Sequence, residues 1–420
     1  MNRFLLAVGG YDTTIRLFDN IQLPPARTLQ FCDQQIIRLA FSGSGPVPVT
    51  SPLFLAVAGS PSVAVYDVTS HDTSPNIFAI FQGHLEAVTA VGFEPKHTAF
   101  VFSASEDGTL QTWIPKLAAP AQSPYPSFHS RPIQHPMISP ASSQFSVPAK
   151  MVNKKDNGKN VPIHDAVYFP PHDYFFTADF LGRLRVWDHR TASLRSEHIP
   201  HPSKRNLQCM DLSHDYRTLV IANFDGLVFV YETAALLPHD MHHPEPLEHH
   251  VIPLTVRASN SYIPRIKLSH NCNYLVCSTR SGATRVYRMS DVCTIPEPSP
   301  QRSDQDSSEP SEDEDRYIMP FREPHLRPGW IWDVSFIEGS DDYLFTCSST
   351  AQVMLWDLNN VGHYTELKGI TRPASCIALR ERTTPPSLQN PANATLTGQR
   401  MRNPVNGRTV RFACNDSSVS

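Results

Sequence analysis

Apolar and polar positions alternate along this chain in short bursts, and the bursts recur. One phrase returns down the sequence: a small-residue strand, a polar turn, then an alternating strand that closes on an aromatic. The copies are residues 5–19 (LLAVGGYDTTIRLFD), 55–67 (LAVAGSPSVAVYD), 101–113 (VFSASEDGTLQTW), 175–188 (FFTADFLGRLRVWD), 219–232 (LVIANFDGLVFVYE), 275–288 (LVCSTRSGATRVYR) and 344–357 (LFTCSSTAQVMLWD). They close on Phe18, Tyr66, Trp113, Trp187, Tyr231, Tyr287 and Trp356. A period of two predicts strands, and the Asp107-Gly108 and Asp225-Gly226 pairs supply the positive-φ residues of tight hairpin turns. Apolar runs at 36–41, 88–93, 163–169, 207–212, 263–268 and 331–336 precede most hairpins, and a weaker fourth strand such as 76–81 follows most. Four strands per unit at a period of about 45 residues predict the blades of an all-β, seven-bladed propeller.

The copy at the N-terminus has no inner strand in front of it. The apolar run Ala374-Ser375-Cys376-Ile377-Ala378-Leu379 supplies one from the other end. The C-terminal strand is therefore expected to pair with the N-terminal strands, which removes two open sheet edges. Gly83-His84 lies before the third blade, with Ser103 or Ser105, Asp107 and Trp113 after it. This resembles the hydrogen-bonded tetrad of WD repeats, and His84, Ser103, Asp107 and Trp113 are expected to satisfy one another as a structural set, because buried polar groups need partners.

Thirty-eight prolines are more than such a core needs. They concentrate where the rhythm breaks. One propeller is expected over residues 1–380, with insertions near 117–160, 234–250 and 289–328, followed by a polar tail at 381–420. The insertions and tail read as disordered, since their compositions cannot bury enough apolar surface to offset ordering entropy. The third insertion carries the acidic run SDQDSSEPSEDEDR at 303–316, a solubilising linker or a phosphorylation target at Ser303, Ser308 and Ser311.

Charge and candidate chemistry narrow the function. A formal charge of -4 with no basic stripe gives no electrostatic reason to bind nucleic acid. No apolar run is long enough to span a membrane, and residues 1–8 are too short for a signal peptide. The eight cysteines are scattered without C-x-x-C spacing, which predicts a reducing compartment, cytosol or nucleus, with the cytoplasm as the working expectation. His239, His242, His243, His249 and His250 could hold a metal, but they lack nearby Cys ligands and rigid spacing, so a solvated loop and no metal or other cofactor is expected. Gly9-Gly10 follows a strand without the helix of a phosphate loop. No catalytic motif is present, and an interaction protein rather than an enzyme is expected. Trp187-Asp188-His189-Arg190 has the W-D-x-R form of cullin-RING substrate receptors, which supplies the rival reading of a ubiquitin-ligase adaptor. In Gly329-Trp330-Ile331-Trp332-Asp333, two tryptophans two apart share a side of a strand entering the propeller, a pattern that suits a binding surface.

The order of these phrases resembles GβL (G-protein β-subunit-like), the family of small WD-repeat subunits of TOR kinase complexes. The resemblance is carried by residues 7–19 (AVGGYDTTIRLFD), 33–39 (DQQIIRL), 81–84 (FQGH) with 88–93 (VTAVGF), 105–109 (SEDGT), 182–188 (GRLRVWD) and 330–336 (WIWDVSF), and runs from about residue 4 to 380. It implies a non-catalytic scaffold that sits on the C-lobe of a TOR kinase domain and stabilises it, beside other TOR-complex subunits. It also implies contact residues: Gln35 at the start of an inner strand, and Trp330 and Trp332. An asparagine of the family's contact set is Ile37 here.

Overall fold

The computed structural model describes residues 3–19, 24–31, 35–43, 47–48, 51–69, 77–95, 100–115, 145–154, 160–237, 253–294, 318–325, 329–360 and 362–383. Seven antiparallel sheets form the blades of a propeller, each ordered from an inner to an outer strand. Blade 1 runs Ala374–Thr383, Arg3–Gly10, Thr14–Phe18 and Arg27–Gln30. Blade 2 is Arg38–Phe41, Phe54–Ala58, Val63–Asp67 and Ile77–Phe81. Blade 3 is Val88–Phe93, Val101–Ser105, Thr109–Pro115 and Phe145–Val152. Blade 4 is Ile163–Phe169, Tyr174–Asp179, Leu184–Asp188 and Ser193–His198. Blade 5 is Leu207–Leu212, Thr218–Asn223, Leu227–Glu232 and Leu254–Arg257. Blade 6 has Ile266–Leu268, Tyr274–Ser278 and Thr284–Arg288, with single bridges to Arg322 and His325 in place of an outer strand. Blade 7 is Ile331–Phe336, Tyr343–Ser348, Val353–Asp357 and Tyr364–Glu366.

Inner strands touch their neighbours all the way round, and the Ala374–Thr383 strand lies between those of blades 7 and 2. Its register with blade 1 pairs Leu6 with Leu379 and Phe4 with Glu381, so the C-terminal strand closes the ring. An apolar cluster fills each gap between adjacent blades: Leu5, Ile15, Leu39 and Val57 join blades 1 and 2, and Leu6, Val8, Phe345 and Leu355 join blades 1 and 7. All seven closing aromatics are buried in these gaps. The core is therefore a set of flat interfaces around a channel, as expected when each sheet must cover both faces.

Three of the expected insertions and the tail are shorter than the sequence suggested. Phe145–Val152, inside the 117–160 stretch, pairs with Thr109–Pro115 as the outer strand of blade 3. Short helices at Thr233–Leu236 and Met289–Cys293 extend blades 5 and 6 into the next two stretches. The C-terminal strand continues to Thr383, where Arg382 pairs with Val47. Residues 116–144, 238–252, 295–317 and 384–420, including the histidine-rich and acidic runs, lie outside the described residues. Among the described residues, no helix is long and apolar enough to cross a membrane.

Antiparallel blades place their connections by rule. Loops entering inner strands and turns between second and third strands share one face, here the upper face. Turns leaving inner strands and connections from third to outer strands share the lower face. Residues 116–144, 238–252 and 295–317 all connect a third strand to the outer edge of its blade, and the closing strand runs downward. The described strands that lead into these stretches therefore end on the lower side.

Candidate functional site

At the top of the inner strands one residue is a β-bulge in blade after blade: Ser375, Thr89, His164, Gln208 and Trp332. A bulge re-aims its side chain. Several of these side chains reach the next blade. Ser375 Oγ donates to Ile36 O at 2.6 Å, Thr89 Oγ1 to Ile163 O at 2.8 Å, and His164 Nδ1 to Leu207 O at 2.8 Å. Trp332 makes no such bond. Its indole Nε1 is buried with no hydrogen-bond partner among the described residues.

Two positions before each bulge, just ahead of the inner strand, stands the residue that is Trp330 in blade 7. Gln35 and Tyr262, three positions before Arg38 and Arg265 as Trp330 is before Asp333, hold the matching places in blades 2 and 6. The residue opening each upper turn packs beside it, and its N–H is fixed by the same carbonyl in five blades. Tyr11 donates to Pro373 O, Glu106 to Ala87 O, Phe180 to Pro162 O, Phe224 to Asn206 O and Ser349 to Trp330 O. The backbone specifies the turn, and the side chain at this place is left to face outward.

These two rows bring the sequence-predicted contact residues together. The rings of Trp330 and Trp332 lie 4.7 Å apart, both half-buried. Tyr11 joins Trp332 at 6.3 Å, and its phenol is hydrogen-bonded to the exposed Gln35 side chain. Burial raises the Tyr11 pKa and the Gln35 bond offsets part of that rise, so the phenol stays neutral and able to donate. On the other side Tyr262 stands 5.9 Å from Trp330, Phe224 stands 5.5 Å from Tyr262, and the Arg280 guanidinium lies 4.1 Å above the Trp330 ring. The result is one aromatic arc from blade 5 to blade 1, with Gln35 at its end.

Next to this row, charged residues at the upper ends of four inner strands meet in alternation. Arg265 Nε contacts Asp333 Oδ1 at 2.9 Å, Arg265 Nη1 contacts Asp165 Oδ2 at 3.2 Å, and Arg38 reaches Asp165 at 3.5 Å. Backbone N–H groups of Met210 and Ile377 complete Asp165 and Asp333. Buried charges with this many partners form a rigid base beside the arc.

The tetrad residues are joined inside blade 3, away from the arc. Trp113 Nε1 donates to Ser103 Oγ at 2.9 Å, His84 Nε2 lies 2.7 Å from the same oxygen, and His84 Nδ1 lies 3.2 Å from Asp107. Of the W-D-x-R residues, Asp188 is taken up by Arg195 and by the N–H groups of Arg190 and Thr191 in a lower-face turn. Gly9 sits where the second strand of blade 1 packs against Cys376 and Ile36, so close approach rather than phosphate binding explains it.

Sequence reasoning named Gln35, Trp330 and Trp332 among the residues of this arc but not Tyr11, Tyr262, Phe224 or Arg280. Each stands in a loop, where the period-two pattern ends. Aligning the copies on the turn and on the position ahead of the inner strand would have placed Tyr11 and Phe224 in one column and Tyr262 beside Trp330 in the other, with Arg280 one place past the turn-opening Thr279.

Residues 75–113 match the family described as WD domain, G-beta repeat. Over 293 residues the chain is 25% identical to "Target of rapamycin complex subunit wat1" of Schizosaccharomyces pombe, covering 69% of this chain and 75% of that protein. It is 27% identical over 289 residues to "Target of rapamycin complex subunit LST8" of Saccharomyces cerevisiae, covering 68% and 78%. The LST8 subunit of Mus musculus is 22% identical over 294 residues, covering 70% and 75%.

Proposed function

We propose that this chain, a WD-repeat propeller homologous to the LST8 (GβL) proteins, is a non-catalytic scaffold subunit that binds and stabilises the kinase domain of a TOR kinase. The observation that carries this reading is the meeting of Gln35, Trp330 and Trp332 on one upper-face patch, joined through Tyr11. The patch has the features of an interface centre: aromatic anchors, a stacked arginine and a rigid base. The unpaired Trp332 Nε1 fits an acceptor supplied by a partner, since a buried donor left unbonded costs stability in the free chain. Among the described residues the upper-face connections are short, which suits the approach of a kinase lobe. The C-lobe is the element we assign to the patch, with other TOR-complex subunits around it, in the cytoplasm.

The chemistry of the site is recognition. The arc offers rings, one amide and one guanidinium, with no nucleophile and base placed side by side. Truncating two anchor residues at such a centre costs about 2 kcal/mol or more each. Trp330→Ala combined with Trp332→Ala should therefore abolish co-precipitation of a TOR-type kinase, while the thermal melt of the purified variant stays near that of the parent. Gln35→Glu should weaken capture by placing a charge in a desolvated contact. Full kinase capture by a double variant that melts like the parent would reject the assignment.

A further inference from the structure

A second upper-face surface continues from the blade 5 end of the arc, where Phe224 stands, onto blade 4. Phe180 and Phe224 open the upper turns of these blades, and each is 48% exposed. The turn does not require an aromatic. Its bond is made by the backbone N–H, and the same place holds Glu106 in blade 3 and Ser349 in blade 7. Single exposed apolar residues are ordinary, but two phenylalanines at equivalent places on neighbouring blades form a patch, and Ile199 adds to it from the next upper loop.

The loop between the two phenylalanines is basic. Its backbone packs so tightly on the blade 4 turn that a Cβ at Gly182 would lie 2.6 Å from the Lys204 carbonyl carbon. Lys204 itself is held at φ 49, a conformation uncommon for a residue with a side chain. It is exposed and makes no ion pair among the described residues. Arg205 pairs with Asp225 at 3.2 Å yet remains 63% exposed. The other nearby carboxylate, Glu197, is occupied by Arg183 and Arg185. The surface thus alternates apolar, cationic and apolar groups with a surplus of positive charge.

We propose that Phe180, Lys204, Arg205 and Phe224 form a docking site for an extended acidic segment of a partner protein that carries apolar side chains among its carboxylates. The phenylalanines take the apolar side chains, and the two cations take the carboxylates. Single-stranded RNA also uses aromatics beside cations. Here Asp225 stands within the patch and would oppose a phosphate chain, whereas a peptide can position its carboxylates around it. The site shares Phe224 with the blade 5 end of the arc, but Phe180, Lys204 and Arg205 lie outside it, so the tryptophan variant and the lysine–arginine variant report on different ends of the upper face.

The test uses the full chain and fluorescence anisotropy with a short fluorescein-labelled peptide in which Glu alternates with Phe and Leu. Binding is expected, and it should weaken as salt rises to physiological strength, where charges are screened beyond about 8 Å. Phe180→Ser with Phe224→Ser, and separately Lys204→Glu with Arg205→Glu, should each weaken it roughly tenfold or more. Both variants should melt like the parent, since the altered side chains are exposed. Trp330→Ala with Trp332→Ala should keep full peptide binding, which separates this site from the kinase patch. Equal binding of the same peptide with Lys in place of Glu, equal binding of a short oligouridine, loss of peptide binding in the tryptophan variant, or peptide binding unaffected by both patch variants would each overturn the proposal.

Discussion

Ser103 shows how much a single hydroxyl can carry. The chain of bonds runs from Trp113 Nε1 to Ser103, from Ser103 to His84 Nε2, and from His84 Nδ1 to Asp107, so Nδ1 is the ring nitrogen that faces the carboxylate. Ser103→Ala leaves the Trp113 and His84 nitrogens buried and unbonded, at a cost of about 1–3 kcal/mol. Thr177 and Thr346 accept the indoles of Trp187 and Trp356 at the equivalent place, both at 2.9 Å. Ser103→Thr should therefore melt near the parent, and Ser103→Ala clearly below it. Asp107 adds a pH signature. Burial works to raise its pKa, but hydrogen bonds from His84, Thr109 and the Leu85 N–H outweigh it and hold the carboxyl well below the usual range. A depressed folded-state pKa means stability that is present above about pH 4 and lost as pH falls toward the folded value. The gap in melting temperature between the parent and Asp107→Asn should be widest at neutral pH and shrink below about pH 4. A gap that widens on acidification would contradict this account.

At the scale of elements, the third strands were legible because each buries both faces and ends on an aromatic, as Leu184–Asp188 and Val353–Asp357 do. The closing strand was legible because one inner strand was missing at the N-terminus and one was left over at the other end. Outer strands were not. Phe145–Val152 follows a Pro- and Ser-rich stretch and reads as its continuation, and blade 6 completes its edge with isolated bridges. The bulges were also invisible, because an extra residue in an inner strand leaves no compositional mark. Two-residue spacing suggested that Trp330 and Trp332 share a strand face, whereas Trp330 precedes the strand and the bulge at Trp332 brings the rings together. Gly9 is the element-level counterpart of this close packing. A Cβ there would stand 2.7 Å from Cys376 Sγ and 2.8 Å from Ile36 Cγ2. Gly9→Ala should thus force the closing strand and blade 2 apart and cost about 1–3 kcal/mol, the usual range for overpacking. Adding Cys376→Ala removes one of the two clashes and should recover part of the loss in a thermal melt. No recovery would place the strain elsewhere.

The whole molecule depends on one strand that is far from its partners in sequence. Ala374–Thr383 pairs with Arg3–Gly10, touches the inner strands of blades 7 and 2, and donates its Ile377 N–H to the Asp333 carboxylate. At its lower end Arg380 contacts Glu338 of blade 7 at 2.8 Å and the Ser42 carbonyl beside blade 2 at 2.6 Å, so one guanidinium spans the junction of three blades. Removing this strand opens the apolar clusters around Leu5 and Leu6 and leaves strand edges unpaired, the condition that invites edge-to-edge association. The contacts that close the ring are all made by residues up to Thr383, and we propose that residues 384–420 take no part in closure. Two truncations separate the contributions. A chain ending at residue 369 should be insoluble, or soluble without a cooperative melt. A chain ending at residue 383 should melt at nearly the parent temperature and still capture the kinase through the upper face. A cooperative melt from the shorter chain would refute closure by the C-terminal strand, and a large drop in the longer one would show that residues 384–420 help hold the ring shut.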